Sequence, residues 1–376
     1  MLTGVLGIRV LLWMGENLPR PAPVEAMRAL QEVEVHFNDR APSGFRLVFA
    51  LHKDKSLDYT LLKSGALEPG SLVVVAAIMG VVPHALINGV ITHHQIEPSA
   101  EAGGSRLTVM GQDVGQMMDL EERNEPYDNR PDFLIFNQVI ASRYARYGVV
   151  PLATPTTDFP LMLYRTPWQQ GTDRAFLQEL ARRNGFVFYL EPTAPGVTTA
   201  YFGPENRLGI PQPTLSFNLG SLSNVQSLHV GNDALAPVAS RGVFVEPFTR
   251  TSIPIPALPS LRLPPLSAEP APALRTALTR DSANRNPAQA ALAGLSQSMS
   301  APEPVEVRGS LDTVRYGHVL RNRRLVGLRG VGLSYDGYYY VRQVTHRIDV
   351  RQSSYTQSFG LSREGIGTLL PVLPPL

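Results

Sequence analysis

Thirteen residues near the C-terminus, Tyr338-Tyr-Tyr-Val-Arg-Gln-Val-Thr-His-Arg-Ile-Asp-Val350, constrain this chain more than any other stretch. A run this rich in aromatic and β-branched residues reads as one long strand. Val331–Tyr335 reads as a strand leading into it through Asp336-Gly337, a hairpin signal. Arg351–Ser354 turns it back into a second strand, Tyr355–Ser362. A hairpin of this length needs a wider sheet to cover it.

The same signature fills the N-terminal third. Gly7–Met14, Glu32–Phe37, Gly44–Leu51, Ser71–Ile78, Ala85–Ile96 and Arg106–Met110 are strand-like. Glu32–Phe37 alternates cleanly, with Val33, Val35 and Phe37 on one face and Glu32, Glu34 and His36 on the other. Gly89 suggests a kink or bulge in its strand. Residues 1–111 therefore read as a small antiparallel sheet or barrel.

The pattern then becomes mixed. Gln112–Leu120 is a short amphipathic helix with Val114, Met117 and Met118 inward, and Asp132 is placed to cap a second helix. That helix has a face of Phe136, Val139, Ile140, Tyr144 and Tyr147 and ends at Gly148. A third begins near Thr172 and stops at Gly185, with strands at Leu161–Arg165, Phe186–Leu190 and Thr198–Phe202 around it. Residues 112–205 form an α+β segment, and 206–363 return to β.

Inside that last region, Pro254–Pro272 holds seven prolines in nineteen residues, including Pro254, Pro256, Pro259, Pro264 and Pro265. Such a run is extended and cannot be a central strand. Asn286-Pro287 can start a short Ala-rich helix through Ser298. Residues 250–304 read as a long excursion from the β domain, with a disordered linker as the alternative. The end, 364–376, is an apolar, proline-rich tail whose Leu369, Leu370, Leu373 and Leu376 are candidates, with those five prolines, for contact with a partner.

Composition excludes several classes. With 34 basic against 32 acidic residues and no basic run, the chain lacks the charge of a dedicated nucleic-acid binder. Lys occurs only at 53, 55 and 63 and Arg supplies the rest, which suggests coding bias, although Arg also suits bidentate contacts. With no cysteine there is no disulfide, thiolate metal site or thiol nucleophile. The longest apolar run, Leu72–Val82, has 11 residues against the roughly 20 that span a bilayer. The N-terminus lacks the basic cluster and cleavage site of a signal peptide.

Catalytic patterns are missing. No His-Glu-x-x-His, Gly-x-Ser-x-Gly, phosphate-loop or Gly-x-Gly-x-x-Gly motif occurs. Adjacent His93 and His94 point to opposite faces of a strand and cannot share a metal. Of several acidic clusters, Asp119, Glu121 and Glu122 lie close together and could supply a carboxylate pair. They read more simply as solvated surface. No catalytic, cofactor-binding or metal residue is assigned, and no cofactor is expected.

Three stretches then carry a resemblance. Leu86-Ile-Asn-Gly-Val-Ile-Thr followed by Gly104-Ser-Arg-Leu-Thr-Val-Met-Gly-Gln-Asp113 is a strand pair leading into a helix. Gly171–Phe186 is a capped helix with Phe-Leu-x-x-Leu and a Gly-Phe exit. The third is Tyr340–His346 through Ser354–Arg363. In this order they resemble the baseplate hub proteins of contractile tails, the phage late control protein D family, and the N-terminal half of type VI secretion VgrG spikes. The resemblance implies a mainly β fold with two tube-type antiparallel β-barrels flanking the α+β segment. It implies a homotrimer whose six barrels form a pseudo-hexameric ring, adapting a hexameric tail tube to a trimeric spike. Partners would be tail tube proteins, a separate trimeric spike and a neighbouring baseplate or tape-measure protein, with no specific nucleic acid and no membrane span. Its place would be the tail baseplate of a virion or an injection-system particle assembled in the bacterial cytoplasm. No spike repeat follows the second barrel, and the excursion 250–304 has no family counterpart; it is expected to wrap the ring. The alternative function is a tail-associated cell-wall hydrolase using the carboxylates named above.

Overall fold

Val33, Val35 and Phe37 turn inward, as their alternation requires, and the sheet they belong to organises the molecule. The computed structural model describes residues 8–54, 58–63, 65–80, 82–101, 103–156, 166–245, 251–258, 262–278, 294–299 and 301–369. The first lobe holds β1 (Arg9–Gly15), β2 (Arg20–Pro21), β3 (Leu30–Asn38), β4 (Gly44–Ala50), β5 (Leu72–Met79), β6 (Val82–Glu97) and β7 (Arg106–Asp113), with a short helix α1 (Val24–Ala29) before β3. Leu12, Val35, Leu47, Val75, Leu86 and Val109, from six different strands, meet in one buried cluster. A flat sheet cannot bring its two ends together in this way, so the sheet is strongly curled.

The middle unit follows a single 3₁₀ turn, Val114–Met118, in place of the expected helix over 112–120. It comprises β8 (Glu122–Pro126), α2 (Asp132–Val139), β9 (Val149–Ala153), β10 (Trp168–Thr172), α3 (Asp173–Arg183), β11 (Val187–Ala194) and β12 (Val197–Gly203). The chain continues from α2 through a π turn and a 3₁₀ turn to Gly148, which stops it with φ 72°. Phe136, Val139, Ile140 and Tyr144 pack with Leu177 and Phe202 as their own core. Thr172 caps α3 by accepting from the Ala175 amide at 3.3 Å. Asp132 does not cap α2: Pro131 holds that position, and the Asp132 carboxylate instead accepts from Arg183 and Asn184 across the helix pair. The strand expected at Leu161–Arg165 lies outside the described residues.

The second lobe contains β13 (Gln212–Ser216) and β14 (Val225–Asn232). The excursion, which begins at 233 directly after β14 and not at the expected 250, supplies β15 (Val238–Val245), β16 (Ser252–Leu258), β17 (Ser267–Pro270) and β18 (Arg275–Leu278). The chain returns in β19 (Val305–Asp312), β20 (Leu325–Arg329), β21 (Gly337–Asp349), β22 (Ser354–Arg363) and β23 (Gly365–Thr368). Val331–Tyr335 is not a strand. β20 pairs with β21, and residues 330–336 form the loop between them, closed where Asp336 accepts from the Val331 amide at 2.8 Å.

β21 is the joint of the molecule. Its first part pairs with β20 and its second part, Gln343–Asp349, pairs with β3, while β22 follows its other edge. The two lobes therefore share one 13-stranded sheet, β14-β19-β22-β21-β3-β4-β7-β6-β5-β1-β2 with β13 and β20 attached. No closed barrel forms among the described residues, in place of the two separate barrels expected. Among the described residues strand occupies 50% and helix 16%, so the fold is mainly β with some helix.

β14 and β19 pair directly although residues 233–304 intervene. The excursion thus leaves and returns between adjacent strands. Its β16 lies at the edge of a three-stranded sheet with β15 and β18, as its prolines demand, and its β17 pairs with β23. The helix expected from Asn286 falls largely outside the described residues, and one helical turn covers 294–299.

Candidate functional site

The seven charged residues that meet at the joint carry no local sequence motif. A bulge between Val341 and Gln343 displaces Arg342 from the regular ladder of β21 and β22. Its guanidinium donates to Asp39 at 2.8 Å, to Glu205 at 2.8 Å, to Glu303 at 2.8 Å and to the Ser362 hydroxyl at 2.7 Å. Arg207 donates to Glu205 at 2.8 Å, to Glu364 at 3.1 Å and to Glu303. Arg262 completes the set with Glu303 at 3.0 Å and the Ala301 carbonyl at 2.7 Å. The Tyr340 ring lies 4.4 Å from the Arg342 guanidinium carbon.

These contacts tie four segments together. Asp39 follows β3 in the first lobe, and Glu205 and Arg207 follow the middle unit. Arg262 and Glu303 bracket the inner part of the excursion, and Arg342, Ser362 and Glu364 belong to the second lobe. Glu364 also accepts from the Ser267 amide at 2.8 Å, next to the β17·β23 pairing. The excursion is therefore anchored on its own chain at both ends of this stretch.

Electrostatics follow from burial. Desolvation opposes charge on Glu303, but Arg342, Arg262 and Arg207 overcome it and hold its carboxyl well below the usual range. Glu205 is lowered against burial by Arg342 and Arg207. Burial opposes charge on Arg342 too, yet Glu303, Glu205 and Asp39 keep it cationic. Carboxylates depressed in this way contribute stability above their unfolded pKa, and it is lost only as pH falls through the depressed folded value. Apart from the Arg262 Nε, which has no hydrogen-bond partner, the charged groups here face fixed opposite charges, so the cluster is a tie.

A second seam joins the first lobe to the middle unit. Asn88 on β6 donates to the carbonyls of Ala194 (3.1 Å) and Val197 (2.9 Å) and to Thr198 Oγ1 (3.0 Å), and accepts from the Gly196 amide at 3.0 Å. A cavity of about 550 Å³ opens beside it, lined by Trp13, Leu18, Val74 and Tyr147 among others. Asn88→Ala strands buried backbone groups at this seam and is expected to cost about 2–3 kcal/mol, read as a lowered urea midpoint.

Gly89 is not a bulge. It pairs regularly with Val73 and Asp113, between irregularities at Leu86 and Thr92. Its value is close approach: a Cβ there would lie 2.4 Å from the Gln112 carbonyl oxygen, and one on Gly111 2.2 Å from that of Val90.

The other sequence candidates do not converge on a site. Asp119, Glu121 and Glu122 are exposed. Asp119 accepts from Thr172 at 3.0 Å and Arg174 at 3.3 Å, and Glu121 pairs with Arg123. No group of three or more potential metal ligands occurs among the described residues. No described helix is long and apolar enough to cross a membrane. Of the contact candidates, Pro254 and Pro265 are exposed, Pro264 is half-buried, and Leu369 is 51% exposed. Pro256 lies in β16, whereas Pro259, Leu370, Leu373 and Leu376 fall outside the described residues.

No family model and no curated protein matches the sequence. The fold does match solved structures over nearly its whole length. A tail protein from Neisseria meningitidis MC58 superposes with TM-score 0.66 at 14% identity, covering 96% of this chain and 98% of that one. The 43 kDa tail protein of prophage MuSo2 from Shewanella oneidensis gives 0.63 at 13% identity, covering 95% and 98%. An E. coli type VI secretion component, described as similar to the T4 tail proteins gp27 and gp5, gives 0.54 at 13% identity, covering 92% and 77%. The structural neighbours are thus phage tail proteins and type VI secretion hub-like proteins, as the three sequence stretches led one to expect.

Proposed function

We propose that this chain is a structural hub of a contractile tail or injection-system particle, three copies of which form a ring that seats a hexameric tube on one side and a trimeric spike on the other. The joined sheet is the observation that carries this reading. Two curled β lobes fixed side by side in one chain become six similar units in a threefold ring, which is the geometry needed to pass from sixfold to threefold symmetry. The fold shared with tail proteins over 95–96% of the chain supports a structural role in a tail. The partners that follow are a second and third copy, tube proteins, a separate spike and a neighbouring baseplate or tape-measure protein. The solvent-facing Pro254, Pro265 and Leu369, with Pro256, Pro259, Pro264, Leu370, Leu373 and Leu376, are the proposed contact positions for those neighbours.

Imaging of the purified complex tests the proposal. A view down the axis should contain six lobes around a channel, built from three chains. The hydrolase alternative predicts release of cell-wall fragments that is lost in a variant with Asp119, Glu121 and Glu122 all changed to their amides. The hub reading predicts no release by either protein.

A further inference from the structure

We propose that the joint between the two β lobes is a hinge opened by acid, with His346 as its sensor. His346 lies on β21 opposite Val35 of β3, on the core face of the shared sheet and fully buried. Its Nδ1 meets the Tyr355 hydroxyl at 2.9 Å, and its Nε2 has no hydrogen-bond partner. A leucine or phenylalanine would fill this position with no orphaned nitrogen.

The surroundings already hold a cation and supply little to balance a second one. From β3 come Val35 and the Phe37 ring, edge-on with centroids 5.5 Å apart. From β22 come Tyr355 and the amide Gln357. The segment before β20 brings Arg321 and His318, and β6 brings His84 together with the Ala85 carbonyl, which accepts from Arg321 at 2.6 Å. Glu32 and Glu34 of β3 and Asp349 of β21 point to the opposite face of the sheet. Glu191 of β11 acts on Arg321 while held in its own ion pair with Arg324 at 2.8 Å.

A proton on His346 places a second buried positive charge near Arg321, and the charge is relieved when β3 and β21 part and the ring meets water. Burial, and Arg321 after it, push the His346 pKa down to about 3. Opening therefore takes up a proton below about pH 6.5, the ordinary value of an exposed imidazole. Burial and Arg321 lower His84 as well, but it sits on β6, which pairs with β5 and β7 and takes no part in the β3·β21 pairing that opens.

The test is amide hydrogen exchange of the intact chain at pH 7.5 and 5.5, corrected for the intrinsic pH dependence of exchange. Protection of β3 and of Gln343–Asp349 should fall about tenfold over that interval, the factor for one proton across these two pH values. Protection of β11 and β12 should not change. His346→Gln, which keeps a partner for Tyr355, should abolish the fall. Arg321→Gln should leave the fall over this interval nearly unchanged, because burial, the larger cause of the lowered closed-state pKa, remains. An undiminished fall in His346→Gln, a fall shared equally by β11 and β12, or no fall in the wild-type chain would each overturn the proposal.

Discussion

Arg342→Met lowers the unfolding free energy by about 3–5 kcal/mol, the cost of leaving partners of a buried ion pair uncompensated. Glu303 is 4% exposed, and Asp39 and Glu205 lose the same cation with it. The effect is read from the urea midpoint at pH 7, with the slope against denaturant unchanged. Glu303→Gln in the Arg342→Met background should recover part of the loss, with a coupling of about 1–3 kcal/mol between the two positions. Strict additivity would mean that the two side chains do not share one network. Limited proteolysis supplies a second readout: loss of Glu303 should speed cleavage near Arg262–Ser267, where the excursion is held through Glu303 and Glu364.

Gly111→Val is the other large effect, at about 3 kcal/mol or more, beyond the usual cost of added core volume. A Cβ on Gly111 would meet the Val90 carbonyl oxygen at 2.2 Å and the Phe45 ring at 2.4 Å, and the carbonyl belongs to a paired strand that cannot retreat. Phe45→Leu should rescue only part of the loss, because it relieves the ring contact and leaves the carbonyl. A Gly111→Ala protein within about 0.5 kcal/mol of wild type, the range of an ordinary surface change, would show that the strands are not held this closely.

What the sequence made legible depended on distance along the chain. Val33, Val35 and Phe37 announce the buried face of β3 within six residues, and Thr172 and Gly185 mark both ends of α3. Asp132 misled because a proline before it holds the cap geometry, which freed its carboxylate for Arg183. Val331–Tyr335 misled because Asp336-Gly337 favours a tight turn, whereas Gly330 and Gly332, both with positive φ, build a wider loop. The pairing of β3 with β21 was beyond reach, since register between strands some 300 residues apart is set by tertiary packing.

The ionic tie was hidden for a related reason. Its members, at 39, 205, 207, 262, 303, 342 and 364, belong to four segments and to no motif. The preference for Arg over Lys was its one trace, read there chiefly as coding bias. Arg342 engages three carboxylates and a hydroxyl at once, a task for a planar guanidinium that a lysine ammonium cannot match.

The central claim is that lobes joined in one chain assemble three to a ring. Native mass spectrometry of the purified chain, alone and then with the separate spike protein, tests it most directly. A species of three times the 41.1 kDa chain mass, formed by the chain alone or on adding the spike, is the predicted result. A chain that stays monomeric at high concentration and with the spike present would contradict it.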